Sequence, residues 1–330
     1  MRGPVLLTGG SGFLGSHIAD ALAARGVAIR ALVRRTSDVR HLSSLPETTL
    51  VYGSLEDGDA LSEAVRGARG VIHAAGLIKA VRPRDFARVN DGGTARLLDA
   101  ARAAAPALER FVYVSSLAAQ GPSLDGRPRS PGATPDPVTA YGRSKLAAEE
   151  RVRAAADDVP TVVIRPAVVH GPRDRETLAF FQAVKWGVLP LTGAPDAVLS
   201  MVYATDCADA CVRAIDADVA SGSAYDIEDG RPETLATIVG HIEAAMGRRV
   251  RVRVPIPEAL LRVAAGVTYA FGRAVGRAVM FTPDKVNELR APHWVSDASG
   301  ARAALGWTPR VPFSEGAKLS AAWYKKAGWL

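Results

Sequence analysis

Two rhythms of apolar positions alternate along this chain. VLL (5–7), VAIRALV (27–33), TLVYGS (49–54), GVIHAAG (70–76) and ERFVYVSS (109–116) have the length and the β-branched content of strands. Between them run stretches with the helical period. Phe13, Leu14, Ile18 and Leu22 share one face, a further helix is expected around Asp59 to Val65, and RDFARVNDGGTARLLDAARAAA (84–105) carries another. Strands that are apolar throughout and alternate with helices predict a parallel sheet covered on both faces, with ligands gathering at the strands' carboxyl ends. Elements become shorter and more mixed from about 171. The expected organisation is therefore a sheet domain over 1–170 and a smaller lobe over 171–330, from which some segments return to the first core.

Composition changes this picture little. The chain has 330 residues, 48% hydrophobic and 23% charged, an ordinary globular balance that argues against disorder. Its formal charge of +7 comes from 41 Lys and Arg against 34 Asp and Glu. Without interleaved aromatics, that excess reads as a solvated basic surface, and no nucleic-acid partner is expected. Cys207 and Cys211, in the helical TDCADACVRAI, match no zinc or redox spacing. They read as small buried residues, with no metal centre expected and a reducing, cytoplasmic location. MRGPVLLTGG passes directly into a strand, so no signal peptide is expected; no run reaches about 18 uncharged apolar residues, so no membrane span is expected either.

Candidate chemistry begins at the first turn. Thr8 and the glycines 9, 10, 12 and 15 join a strand to a helix whose first turn holds Phe13 and Leu14, the context of a Rossmann-type dinucleotide site. Gly9 permits the tight turn, Gly12 lets backbone approach a pyrophosphate, and Gly15 allows close packing of helix on strand, while the helix N-terminus offers N–H groups to the anion. The second strand ends in Val33, Arg34 and Arg35, where an NAD site would carry Asp or Glu for the ribose 2′-hydroxyl. Two guanidiniums suit a 2′-phosphate instead, so NADP(H) is favoured and NAD(H) stays open. In AYGRSK (140–145), Tyr141 and Lys145 stand four apart, on one helical face.

In their order, TGGSGFLG (8–15), HAAG (73–76), RVNDGGT (88–94), VSS (114–116), YGRSK (141–145) and IRPAVVHGP (164–172) closely resemble the motifs of the extended short-chain dehydrogenase/reductase family. Weaker likeness continues through MVYATDCADA, AYDIEDGRPET and ALGWTPRVPFSEG to the end of the chain. VRRTS after the second strand resembles the dihydroflavonol-reductase-like and 3β-hydroxysteroid-dehydrogenase-like branch. The resemblance implies a catalytic set of Ser116, Tyr141 and Lys145, with Asn90 in support by anchoring a water. Ser116 is preferred to its neighbour because it lies 25 residues before Tyr141. Tyr141 would exchange the proton at a substrate oxygen, Lys145 would favour its phenolate and hold the nicotinamide ribose, and Ser116 would hydrogen-bond the reacting oxygen.

It also implies cofactor contacts from Ala74, Ala75 and Gly76, from Ser115, and from Pro166, Val168 and Val169 beside the nicotinamide. Ser54 stands where relatives commonly have an Asp for the adenine, which weakens that contact, while backbone contacts from Leu55 survive. His170 occupies a position that is Tyr in many relatives and is left out of the catalytic set.

The implied activity is an NADP(H)-dependent oxidoreductase acting on a secondary alcohol or ketone, on an apolar steroid-, flavonoid- or acyl-like small molecule. An NAD-dependent sugar-nucleotide epimerase is the alternative. Arg34 in place of an acid, and RPA at 165–167, count against it. A 4,6-dehydratase is disfavoured because Leu117 and Ala118 replace an Asp-Glu pair, and a non-catalytic sensor or assembly protein because Tyr141 and Lys145 are both kept. The proline-rich loop from Ala118 to Thr139, with Pro131 in it, is expected to edge the substrate cleft. The apolar segment 255–281, interrupted by Arg262, Arg273 and Arg277, leaves three readings open: a core or dimer helix, a lid over a greasy substrate, or a helix in peripheral contact with a membrane. A homodimer through the helices near 82–105 and 140–156 is also left open.

Overall fold

The computed structural model describes residues 3–104, 108–129, 133–193 and 196–330. Its centre is a sheet of seven parallel strands: β1 (Val5–Thr8), β2 (Ile29–Val33), β3 (Thr48–Tyr52), β4 (Gly70–His73), β5 (Arg110–Val114), β6 (Thr161–Pro166) and the strand Ser223–Ile227. Their spatial order is Ser223–Ile227, β6, β5, β4, β1, β2, β3. The chain winds outward from β1 through β2 and β3, then returns to β4 on the other side of β1. That reversal opens a crevice at the carboxyl ends of β1 and β4, the place where doubly wound sheets hold ligands.

Alternation within the strands assigns the two faces. Val5 and Leu7 of β1 join Ile18 and Leu22 of helix α1 (Phe13–Ala24), together with Cys207 and Cys211 of helix Ala204–Asp216. Leu6 points the other way, into a core with Leu61, Leu97, Phe111, Ala148 and Val152. β1, β4 and β6 are buried from end to end, and the polar residues they carry, Thr8, His73, Thr161 and Arg165, are buried with hydrogen-bond partners. Both cysteines are free and buried, as their spacing suggested.

The second half of the chain also contributes to this domain: Ser223–Ile227 pairs with β6, Ala204–Asp216 packs over the sheet, and helix Ser299–Leu305 adds Ala301 and Leu305 to the same core. A separate core forms where Phe181, Val184, Ile238, Ile242, Phe313 and Tyr324 meet, from the helices Leu178–Trp186, Leu235–Met246 and Phe313–Lys326.

Three expectations need correction. The helix expected over 84–105 is interrupted: Pro83–Phe86 leads into a π-helical turn, Ala87–Asp91, before helix Gly92–Ala104. Such turns insert a residue and re-aim the side chains around it, and here the turn carries Asn90. The loop from Ala118 to Thr139 does not line the cleft with its described residues. Ser123 instead bridges to His293 and the loop runs against that segment; Pro131 lies outside the described residues. Helix Glu258–Ala274 buries only Leu261, Ala265 and Gly272, and with Val286, Ile256 and Phe281 it makes a small cluster of its own. It is not a core helix, and none of its residues lines the cavity over the sheet in this structure. Among the described residues, no helix is long and apolar enough to cross a membrane.

Candidate active site

A cavity of about 650 Å³ lies over the carboxyl ends of the strands. Its floor at β1 is the glycine turn. Gly9 has φ +76, a left-handed conformation that a side chain would strain. A Cβ on Gly15 would lie 2.0 Å from the carbonyl oxygen of Gly9, so only glycine lets the first turn of α1 pack on the loop. Thr8, Gly9, Gly12, Phe13, Leu14 and Gly15 all border the cavity. α1 starts at Gly12 without a side-chain cap, leaving the N–H groups of its first turn free for an anion. This cradle fits the pyrophosphate of a dinucleotide, and a nicotinamide dinucleotide held through it would supply or accept the hydride of a redox step.

On the β2 and β3 side, Arg34, Ser54 and Leu55 line the cavity, joined by Ser37, which the sequence reading passed over. Arg35 does not line it. Its guanidinium stacks over the ring of Tyr52, 5.9 Å from the centroid, because the alternation at the strand end turns adjacent residues to opposite sides. On the β4 side, Ala74, Ala75 and Gly76 form the wall.

That wall is held by a chain of hydrogen bonds whose direction is determined. The Thr94 hydroxyl donates to the carbonyl of Asn90 at 2.6 Å, so its oxygen must accept from His73 Nε2 at 3.0 Å. His73 Nδ1 then accepts from the Thr8 hydroxyl at 2.7 Å, and Thr8 accepts the backbone N–H of Ala75 at 3.2 Å. Burial lowers the His73 pKa to about 3, with the charge of Lys145 acting in the same direction, and this keeps the imidazole in the neutral form the chain requires.

Asn90 is not a cavity-lining residue. Its Oδ1 accepts the N–H of Leu77 at 2.7 Å, and its Nδ2 donates to the carbonyl of Leu77 at 3.0 Å and to Ser144 Oγ at 2.9 Å. Ser144 in turn donates to the carbonyl of Tyr141 at 2.7 Å. The side chain expected to anchor a water thus spends its polar atoms tying the loop after β4 to the helix that bears Tyr141.

Ser115, Ser116, Tyr141 and Lys145 meet at the β5 side of the same cavity. Helix Ala140–Ala154 is started by Thr139, whose hydroxyl accepts Gly142 N–H at 3.0 Å, and by Asp284, which accepts Ala140 N–H at 2.6 Å. Burial pushes Tyr141 up to about 12, against a hydrogen bond from Ser116 that draws it down. Burial brings Lys145 down to about 8, with Glu149 opposing.

Lys145 does not bond the phenol: its ammonium donates to the carbonyl of Val114 at 2.8 Å and lies over the ring of Tyr113, 4.9 Å from its centroid. With Tyr141 pushed up to about 12 and Lys145 brought down to about 8, the phenol is protonated throughout the neutral range and the ammonium carries its charge below about pH 8.

Ser115 borders the cavity, yet its hydroxyl turns inward and donates to Glu149 at 2.6 Å. The fully buried Glu149 also accepts from Arg165 at 2.6 Å and from Arg153 at 3.0 Å. Beyond β6, Pro166 and Val169 face the cavity, whereas Val168 lines a small apolar pocket on the other side, with Phe180 and Leu199. His170 is buried between Tyr203 and Phe313, with ring centroids 5.4 and 4.7 Å away, and takes no part in the cavity. The sequence reading also missed two carboxylates there, Asp174 and Glu176. Asp174 accepts from the N–H groups of Glu176 and Thr177 at 2.8 and 3.0 Å, and burial raises the pKa of both acids. A polar run after HGP (170–172) was the one signal available for them.

Comparison with known proteins agrees with this arrangement. The chain is 35% identical to the ceramide reductase of Caulobacter vibrioides, an alignment covering all of this chain and 96% of that protein. It is 29% identical to the 3 beta-hydroxysteroid dehydrogenase/Delta 5-->4-isomerase of Mycobacterium tuberculosis, over 93% of this chain and 86% of that one. Among solved structures, the UDP-glucose 4-epimerase of Thermotoga maritima superposes with a TM-score of 0.80 at 22% identity, covering 98% of this chain and 99% of that one, a likeness of fold. The model of the NAD dependent epimerase/dehydratase family matches residues 5–227, the stretch from β1 to the last strand of the sheet, and the chain belongs to that family as an extended short-chain dehydrogenase/reductase.

Proposed function

We propose that the protein is an NADP(H)-dependent reductase of ketones borne on long-chain or polycyclic apolar molecules, with Tyr141 as the proton donor. The observation that carries this reading is the distribution of charge along the cavity. Arg34 lies at the β2 side, where a 2′-phosphate would sit, and no acid of β2 lines the wall to claim a 2′-hydroxyl; Glu56, past β3, also borders the cavity but is paired with Arg88. Asp174 and Glu176 lie past β6, on the opposite side of β1. The diphosphate of a sugar nucleotide placed there would meet carboxylates, whereas an uncharged lipid would not. The names of the relatives, a ceramide reductase and a 3 beta-hydroxysteroid dehydrogenase, point to substrates of the same apolar kind.

In reduction, the carbonyl oxygen gains its proton from Tyr141 as charge develops on it, while Ser116 donates a hydrogen bond to the same oxygen. The phenolate left behind is balanced by the Lys145 ammonium. Asn90 acts as a positioning residue, through the loop at Leu77 and the helix at Tyr141. Helices Gly92–Ala104 and Ala140–Ala154 are the surfaces we assign to a homodimer.

Fluorescence titration with NADPH and NADH, followed by turnover on a panel containing a 3-keto ceramide, a steroid ketone, a flavonoid and a UDP-sugar, tests the reading. NADPH binding at least about tenfold tighter, or about 1.4 kcal/mol, with turnover of an apolar ketone is the expected result. NAD(H) copurifying with the protein, or turnover of the UDP-sugar, would put the epimerase first.

A further inference from the structure

Helix Glu258–Ala274 has three sides. Leu261, Ala265 and Gly272 are buried against Val286 and its neighbours. Leu260, Val263, Val267 and Phe271 are 56, 64, 65 and 67% exposed, and their spacing of three, four and four residues puts them in one stripe. Ala264, Ala270 and Ala274 widen it, and Thr268, the polar residue among them, has its hydroxyl bonded to carbonyls of its own helix and to that of Phe281. The third side is basic, with Arg262 and Arg273. A stripe of this breadth on a surface helix lacks the polar outer face that solvent requires.

Charge identifies what covers it. Three arginines belong to the helix or the turn just past it, Arg262, Arg273 and Arg277, against the single glutamate Glu258; Arg253, on the strand before it, is paired with Glu243 at 3.8 Å. The glutamate, Glu258, is already paired with Arg262 at 2.8 Å and with Arg290 at 3.4 Å. Arg273 and Arg277 have no carboxylate partner among the described residues. The location is also specific. The helix rests on Pro283–Arg290, whose Asp284 accepts the Ala140 N–H that begins the Tyr141 helix and whose Glu288 raises the Tyr141 pKa through its charge. The apolar stripe therefore stands one helix away from the substrate end of the cavity.

From the stripe and the local charge we infer that helix Glu258–Ala274 docks the enzyme on an anionic lipid bilayer, its Leu260–Phe271 stripe entering the acyl boundary and the neighbouring arginines meeting the headgroup phosphates. The docking rests on the surface itself; its use, to draw a membrane-dissolved ketone into the cavity, rests on the function proposed above.

Sedimentation of the full chain with vesicles tests it, using phosphatidylglycerol mixed with phosphatidylcholine against phosphatidylcholine alone. The protein is expected to pellet with the anionic vesicles, and raised salt is expected to release it. Val267→Asp with Phe271→Asp, and separately Arg273→Glu with Arg277→Glu, should each weaken the partition at least about tenfold. These side chains are exposed, and an unchanged melting temperature verifies folding. No pelleting of the parent, or pelleting of both variants as strong as that of the parent, would overturn the inference. So would a homodimer in solution that Phe271→Asp dissociates, because the stripe would then belong to a second copy. Vesicle binding is read without turnover. Pelleting without reduction of any apolar ketone sinks the proposed substrate and leaves the docking, while turnover without pelleting does the reverse.

Discussion

Lys145 donates its ammonium to the carbonyl of Val114 at 2.8 Å, at the carboxyl end of β5. Four residues of helix separate it from Tyr141, but it is the strand that holds its charge. The order of titration, near 8 for Lys145 and near 12 for Tyr141, supports the roles proposed above, the lysine as a source of positive charge for a transient phenolate and the tyrosine as a proton donor.

The rate of ketone reduction should accordingly fall as pH rises through about 8, where Lys145 loses its proton, and not near 12, where Tyr141 would. Both groups are in the active protonated state below that window. A Lys145→Met variant should lose the alkaline limb from whatever activity remains. A kcat profile that stays level to pH 10 would contradict the assignment.

Tyr141→Phe removes the donor and leaves the glycine turn untouched. A loss of about 10²- to 10⁴-fold in kcat is expected, with NADPH affinity held near that of the parent. Retention of turnover in single-turnover assays would place the proton elsewhere.

Arg34 and Arg35 should behave differently, although they are adjacent. Arg34→Ala is expected to reduce the preference for NADPH over NADH by about tenfold or more, since Arg34 borders the cavity. Arg35→Ala should leave the ratio of the two dissociation constants unchanged, because its guanidinium is stacked on Tyr52.

Asn90→Ala strips partners from the N–H and carbonyl of Leu77 and from Ser144. An unsatisfied buried group costs about 1–3 kcal/mol, to be read in urea unfolding. The loosened loop should also raise KM for the cofactor more than it lowers kcat, which a residue acting through a water on the proton would not do.

Glu149→Gln takes from buried Arg165 its closer carboxylate, leaving only Asp226 at 3.8 Å, and removes the bidentate acceptor that also holds Ser115. Breaking a buried pair from one side costs about 3–5 kcal/mol. A melting temperature equal to that of the parent would show that water replaces the lost contact.

The local signals in the chain were enough for five of the seven strands of the sheet, all but β6 and Ser223–Ile227, and for the glycine turn. Strand runs, helical periods and glycine spacings depend on neighbours a few residues apart, and these are the interactions that a sequence displays. The left-handed Gly9 and the 2.0 Å clearance at Gly15 are physical requirements on single residues, so the residue types announce them. The likeness to a known family extended this to Tyr141, Lys145 and Ser116, which do meet in one cavity.

What only the tertiary structure decided is where long side chains and charges go once distant segments pack. Arg34 and Arg35 are alike in sequence and are separated by which side of a strand end faces the crevice. Asn90 was aimed by a π-helical turn that no periodicity shows, and Asp174 and Glu176 reached the cavity because the segment after β6 folds back over it. The charge of +7 was visible as a total, but the exposure of the apolar stripe from Leu260 to Phe271, with Arg273 and Arg277 next to it, is a relation between surface and fold. Burial set the pKa values of Tyr141 and Lys145, and burial is a property of the packed chain, which no residue carries by itself.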